Sequence, residues 1–390
     1  MRIIPVINLS TARSFLEAHV ELNRQNPNFI RPLDQDVEKV FDQNANKNFR
    51  HGECQRWLLE DGKGKLIGRI AAFVNKKYRN KGDEQPTGGM GFFDCINDQE
   101  AANLLFDTAK NWLAERGMEA MDGPINFGER DKFWGLLVEG FQPPPYGMNY
   151  NPPYYKTLFE NYGFQPFYYQ ICWSLPVSSE NAQLQRKFYD AHDLHAANPA
   201  LRVQMVKRNN LEKYAIDFSK VYNQAWAKHE GNKEMSEQQA IKLFRSMKPI
   251  MDESLAWFTY HNDEPVAMWI NIPDLNQIFR HFNGKMNLWN KLRFLYYQNK
   301  GECNRFIGII YGIIPAFQGT GIDYYMIVEA EKVIKERGRY KELELLWQGD
   351  FNIKMLNISR NLGATESRRL ATFRYLFDRS RPFKRHPFID

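Results

Sequence analysis

Residues 306–322 read FIGIIYGIIPAFQGTGI, and this run sets the fold of the chain's second half. Phe306 to Ile314 is an apolar stretch of strand length, rich in β-branched and aromatic side chains. Pro315 ends it, because proline has no amide hydrogen for a sheet ladder. Gln318-Gly319-Thr320-Gly321 then forms a turn of small residues. Ile322, Tyr325, Met326, Ala330, Val333 and Ile334 follow at helical spacing, and Gly338 closes that helix. Leu343 to Trp347 reads as another strand, and Phe351, Met355, Ile358 and Leu362 as the face of another helix ending at Gly363. Amides in a glycine turn that opens a helix can converge on phosphate oxygens, and glycine allows both the close approach and the positive φ. The turn is neither a GxGxxG fingerprint nor a P-loop, since no Gly-Lys-Ser/Thr follows.

At 390 residues the chain is long for one domain, and two are expected. Its 43% hydrophobic and 25% charged content is that of a folded globular protein. The net charge of +6 is small for this length; it favours an anionic cofactor or substrate and gives little support to nucleic-acid binding. The basic stretch from Arg368 to Arg385 is interleaved with apolar residues and reads as a solvated strand edge rather than a polyanion patch. Cys54, Cys95, Cys172 and Cys303 form no CxxC pair and no metal-ligand spacing, so free thiols in a reducing cytoplasm and no metal are expected. No apolar run approaches the ~18 residues of a membrane span, and the N-terminus does not read as a signal peptide, so no membrane partner is expected.

The first half repeats the order of elements found around residue 306. Lys65 to Asn75 pairs with Gln55 to Glu60 as a hairpin, and Gly88 to Ile96 leads into a helix carrying Ala101, Leu105, Ala109 and Leu113. After Asp122-Gly123-Pro124 and the proline-rich loop at 143–145, a helix opening at Tyr154-Tyr155 ends at Gly163, and an aromatic strand runs to Leu175. The two halves therefore read as divergent copies of one α/β unit. Asp94-Cys95-Ile96-Asn97-Asp98 stands where the second half has its glycine turn; acids repel phosphate, so the first half should not hold the same anion. Residues 177–199 are the expected connector. Leu211 to Lys228 and Ser236 to Met247 are expected helices, the latter with a capping box from Ser236 and Gln239. Residues 273–302 form an insertion whose Trp289, Phe294, Tyr296 and Tyr297 either line an acceptor pocket or cover the sheet.

Several stretches resemble the GCN5-related N-acetyltransferase (GNAT) superfamily, and more narrowly a bacterial group with two such folds in tandem. They are Gly91-Phe92-Phe93, Asp122 to Asn126, Gly135 to Phe141, Asn151 to Tyr155, Tyr222 to Trp226, Ile314 to Ile322 and Asn352 to Ala364. The resemblance implies an α/β fold with two tandem acyl-CoA N-acyltransferase-like domains, each a central mixed sheet flanked by helices: a degenerate domain at 1–176, the connector, and a domain at 200–390 holding the cofactor. It also implies that Gln318, Gly319, Thr320, Gly321 and Ile322 meet the pyrophosphate of acetyl-CoA or another acyl-CoA. Ile313 and Ile314 would then offer main-chain groups to the pantetheine arm, and Asn352 would contact that arm. Asp323 stands where the superfamily has Gly or Ala, and an acid there should be unfavourable unless it points away or is paired.

The implied reaction is direct attack of a neutral amine on the thioester, with an acid assisting the departing thiolate. The usual tyrosine, four residues before the helix-ending glycine, is replaced by Ser359 and, in the first half, by Phe159. His229, Glu230 and Glu253 are base candidates by type only; Asn223 and Trp226 belong to a resembling stretch. The expected partner is a small amine-bearing substrate in the cytoplasm. A non-catalytic acyl-CoA or small-ligand binding protein and an aminoacyl transferase are the alternatives.

Overall fold

The computed structural model describes residues 1–128, 130–178, 183–226 and 234–389. In the first half the strands are β1 (Arg2–Pro5), β2 (Gly52–Glu60), β3 (Leu66–Asn75), β4 (Thr87–Cys95), β5 (Ala120–Gly123), β6 (Leu136–Glu139) and β7 (Gln165–Pro176). Its helices are α1 (Leu9–Asn23), α2 (Asp34–Phe41), α3 (Gln99–Ala114) and α4 (Tyr155–Tyr162). The connector carries α5 (Arg186–Ala196). The second half has strands β8 (Leu201–Met205), β9 (Ala256–His261), β10 (Glu264–Pro273), β11 (Arg305–Ile313), β12 (Glu342–Gly349) and β13 (Thr365–Leu376). Its helices are α6 (Leu211–Trp226), α7 (Glu237–Met247), α8 (Asn276–Phe279), α9 (Leu288–Asn299), α10 (Ile322–Arg337) and α11 (Ile353–Asn361).

Local chemistry explains many of the boundaries. Asn8 and Thr11 cap α1 reciprocally, and Ser236 and Gln239 do the same for α7. Asn262 and Asp263 take positive φ at the β9–β10 turn, which suits a tight hairpin. Gly163 closes α4 in the left-handed region, where its amide bonds back to Phe159 and Glu160.

All the strands join one sheet in the order β1-β2-β3-β4-β5-β13-β7-β12-β11-β10-β9-β8, with β6 also paired to β13. β4–β5 and β11–β12 are parallel pairs. The order is symmetric about the β13–β7 pair, so β1–β5 correspond to β8–β12. Each copy is clothed on both faces. α3 and α4 cover one face of the first copy over Leu105, Phe106 and Phe159, and α1 and α2 cover the other over Phe15, Val37 and Phe73. In the second copy α5 and α10 lie on one face over Phe306 and Met326, and α6 and α7 on the other over Phe218 and Phe258.

The copies exchange their last strands. β7 lies between β13 and β12, and β13 lies between β5 and β7. The sheet is therefore continuous across the expected connector at 177–199. The position of β13 also corrects the reading of the basic C-terminal stretch as a solvated edge. Arg374 is buried and pairs with Asp122 at 2.6 Å and Asp83 at 2.7 Å. Arg368 is buried against Glu344 at 2.6 Å. A charge so deep in the sheet is tolerated because it is paired and hydrogen-bonded.

Candidate functional site

The second copy opens where two parallel strands part. β11 pairs with β12 only from Arg305–Glu342 to Gly308–Leu345, although β11 continues to Ile313. Beyond Gly308 the β11 strand carries one extra residue against β10: Ile310 faces Ile270, but Gly308 faces the adjacent Asn271. Such a bulge bends its strand away from the ladder. A cavity of about 100 Å³ follows, lined by Phe188, Trp269, Tyr311, Ile327, Leu345 and Met355 among others, with Gln348 and Ser359 as polar members. The Ile314 amide donates to Val266 of β10. By the alternation of an antiparallel ladder, the main-chain groups of Ile313 and Tyr311 then face the open side.

The glycine turn stands at the end of this opening. Gly319 and Gly321 take φ of +75° and +82°, and Gly321 is the N-cap of the 16-residue α10. A side chain at Gly321 would press on Ala191 at 3.3 Å and on the His195 ring at 3.5 Å. His195 of α5 meets the Thr320 carbonyl at 2.9 Å, and Gln318 Nε2 donates to the Ile313 carbonyl at 3.1 Å. Among the described groups no hydrogen bond engages the amides of Gly319, Gly321, Ile322 or Asp323. Free amides at the positive end of a long helix can bind an anion. Asp323 does not face that site. Its carboxylate accepts from the Tyr311 hydroxyl at 2.5 Å, inside the cavity. Burial, reinforced by this carboxylate, holds the Tyr311 phenol well above its usual range, so it stays protonated.

The first copy has the same splay in closed form. β4 and β5 pair in parallel only to Gly89–Asp122, and β4 is bulged opposite Arg69–Ala71, where Phe92 takes φ of +49°. The gap is filled by the chain itself. The Ile125 amide donates to Met90, and a side chain on Gly91 would sit 1.9 Å from the Ile125 carbonyl. The end of β4 is spoken for as well: the Cys95 amide donates to the Tyr155 hydroxyl, and the Tyr154 hydroxyl donates to the Cys95 carbonyl.

On the α1–α2 face of this copy lies a second cavity, of about 50 Å³, with a buried charge cluster in its wall. Asp94 accepts from Arg69 Nε at 2.6 Å, Asn23 Nδ2 at 3.1 Å and the Tyr155 hydroxyl at 3.1 Å, and meets His19 Nδ1 at 2.7 Å. Burial alone would raise the Asp94 carboxyl, but the charges of His19 and Arg69 outweigh it and hold it at about 2. Burial lowers the His19 pKa against the opposing pull of Asp94. With Nδ1 donating to Asp94, Nε2 is left as an acceptor without a hydrogen bond among the described residues. Both His19 and Asp94 line the cavity. An oriented imidazole of this kind can take a proton or bind an N–H or O–H donor.

No family model matches the chain. It is similar to the bacterial ceramide synthase of Caulobacter vibrioides, 23% identical over 371 residues, 94% of each chain. It is also similar to the protein YghO of Escherichia coli, 21% identical over 369 residues, 93% of this chain and 92% of that one. Among solved structures, a tandem GNAT protein from the clavulanic acid biosynthesis pathway superposes with a TM-score of 0.54 at 10% identity, covering 96% of this chain and 98% of that one. A GCN5-related N-acetyltransferase from Sphaerobacter thermophilus gives 0.50 at 10% identity, covering 100% and 97%. The chain has the tandem GNAT fold. Its second GNAT copy is open and its first is closed at the corresponding strands.

The GNAT fold brings Ile313, Ile314, Gln318, Gly319, Thr320, Gly321 and Ile322 into one continuous turn, with Gln318, Gly319 and Thr320 exposed and the Ile322 side chain buried in the core. Asn352 caps α11, its side-chain Oδ1 accepting from the Met355 amide, and it is not among the residues lining the opening. Ser359 is buried and bonded to Gln348 at 2.8 Å. Tyr324 lines the opening, whereas Tyr325 lies against the His192 ring. Glu253 accepts from the Arg208 amide near the start of β9. His229 and Glu230 lie outside the described residues, and so does the side chain of Trp226. Among the described residues no group of three metal-ligating side chains occurs. The residues missed from sequence are His19, Arg69 and Tyr155. Tyr155 stood in a resembling stretch with no role given to it, and Asp94 was read simply as an acid where phosphate would be repelled.

Proposed function

We propose that this chain is an acyl-CoA-dependent N-acyltransferase that works in its second copy. The observation that carries the reading is the opening between β11 and β12, with four free amides at the N-terminus of α10 beside it. The amides of Gly319, Gly321, Ile322 and Asp323 would hold the pyrophosphate, and the main chain of Tyr311 and Ile313 the pantetheine arm. Pairing of Asp323 with Tyr311 removes the objection that an acid at that place would repel the cofactor. The amine nitrogen attacks the thioester carbonyl, the carbon–sulfur bond breaks, the amine loses its proton and the CoA thiolate gains one. Tyr324 is our choice for the donor of that proton: burial raises its pKa, and it lines the opening where Ser359 replaces the usual tyrosine.

The mainly apolar lining favours an acyl group longer than acetyl. The relative named a bacterial ceramide synthase supports a long-chain amine as acceptor, since a ceramide is an N-acylated long-chain amino alcohol. Calorimetry with CoA, followed by thiol-release assays pairing acetyl-CoA or palmitoyl-CoA with short and long-chain amines, tests this. Turnover with palmitoyl-CoA and a long-chain amine is the expected result. No CoA affinity at millimolar concentration would remove the whole reading. CoA binding without thiol release from any pair would favour a non-catalytic acyl-CoA binding protein.

A further inference from the structure

Helix α9 turns an apolar face to solvent. Leu288, Trp289, Leu292, Leu295 and Tyr296 are between 51 and 76% exposed. Their spacing puts them on one stripe of the helix. The opposite side is anchored: Phe294 is buried with Phe282, Phe279 and Leu33 in one cluster. The aromatics of this insertion were expected either to line a pocket or to cover the sheet. Trp289 and Tyr296 do neither, for they point outward on a firmly held helix.

The charge around the stripe selects its occupant. Residues 275–301 contain Arg280, Lys285, Lys291, Arg293 and Lys300 and no Asp or Glu. All but Arg293 are exposed. Glu302 follows this segment and Asp34 lies beside Gly284, but the helix itself carries only cations. A leucine stripe bearing Trp and Tyr among such cations has the chemistry of a helix lying in the headgroup region of an anionic bilayer. A second copy of the same stripe would bring two sets of cations together, which disfavours self-association. We propose that α9 docks this protein onto an anionic lipid surface. Among the described residues no helix is long and apolar enough to cross a membrane, so the contact is one of surface, with α9 lying flat. The expectation of no membrane partner rested on the lack of a spanning run, which a surface helix does not need.

The placement ties this surface to the first copy's cavity. The Gly284 carbonyl, just before α9, accepts from the Asp34 amide, and Ile30 and Pro32 of the neighbouring segment line the cavity that holds His19. The proposal stands on the helix itself and does not require acyl transfer.

Cosedimentation of the full chain with vesicles tests it, using one part phosphatidylglycerol to two parts phosphatidylcholine, and phosphatidylcholine alone. Wild type is expected to bind the anionic vesicles, with a blue shift of tryptophan emission that Trp289→Phe removes. Leu292→Gln with Leu295→Gln, both at exposed positions, should weaken binding at least ~10-fold without changing the circular dichroism spectrum. Lys285→Ala, Lys291→Ala and Lys300→Ala together should weaken it by roughly a hundredfold, at about fivefold per cation. Absence of wild-type binding, or equal binding by the leucine variant, overturns the proposal. So does a wild-type dimer in sedimentation velocity that the leucine variant dissolves while neither binds vesicles; the stripe would then be a contact between copies.

Discussion

Replacing Asp94 by Asn removes one charge from the most tightly knit polar cluster of the first copy and keeps its shape. Asp94 serves four partners, of which Arg69 and His19 lie at 2.6 and 2.7 Å. Its carboxyl is held at about 2 in the folded chain against 3.8 for the free side chain. At 1.36 kcal/mol per pKa unit, this difference contributes about 2 kcal/mol at neutral pH. The folded-state pKa is the lower one, so the contribution is present above pH 3.8 and is lost as pH falls through about 2. Asp94→Asn also leaves the Arg69 guanidinium buried without a counter-charge, so the loss at pH 7 should reach ~3–5 kcal/mol. Urea unfolding followed by circular dichroism at pH 7 and near pH 2 measures both effects. The deficit of the variant should shrink by about 2 kcal/mol at the lower pH. Adding Arg69→Met should recover most of the loss at pH 7, because it removes the orphaned charge. A loss below ~1 kcal/mol at pH 7, unchanged by acid, would refute this account of the cluster.

Arg374→Ala strands Asp122 and Asp83 in the middle of the sheet and should cost ~3–5 kcal/mol in urea unfolding, as one cooperative transition of the whole chain because β13 joins both copies. Gly321→Ala must hold an L-residue at φ +82° beside Ala191 and His195. It should lose ~1–2 kcal/mol of stability by thermal unfolding and weaken CoA binding in calorimetry. Tyr324→Phe should lower kcat by ~10²-fold or more with an unchanged CoA dissociation constant if its hydroxyl delivers the proton; equal kcat would move that role elsewhere.

Local signals in the sequence carried the fold a long way. The strand from Phe306, the stop at Pro315, the glycine turn and the spacing of α10 each depend on neighbours a few residues apart, and each appears where that spacing puts it. The two-copy reading followed from the repeated order of such units. What stayed hidden depends on distant partners. Asp94 meets residues 25 and 75 positions away, and nothing in the text around it marks them. The basic run at Arg368–Arg374 looks like an edge until β5 and β6 on one side and β7 on the other are known to flank it. In α9 both the leucine stripe and the Phe294 side are apolar, and periodicity cannot say which of two apolar faces goes inward.

The exchange of β7 and β13 also governs when the protein can fold. Residue 123 leaves the ribosome long before residue 365, yet β5, paired with β4 on one side, gains its second neighbour only when β13 has been made. Until then β5 and β7 present open ladders to the cell, and α1 to α4 cover an unfinished sheet. Nascent chains are therefore bare-edged for more than half of their synthesis, a period in which strand pairing with other chains competes with completion. A chain stopped before residue 365 would lack a strand in both copies, not in the second alone.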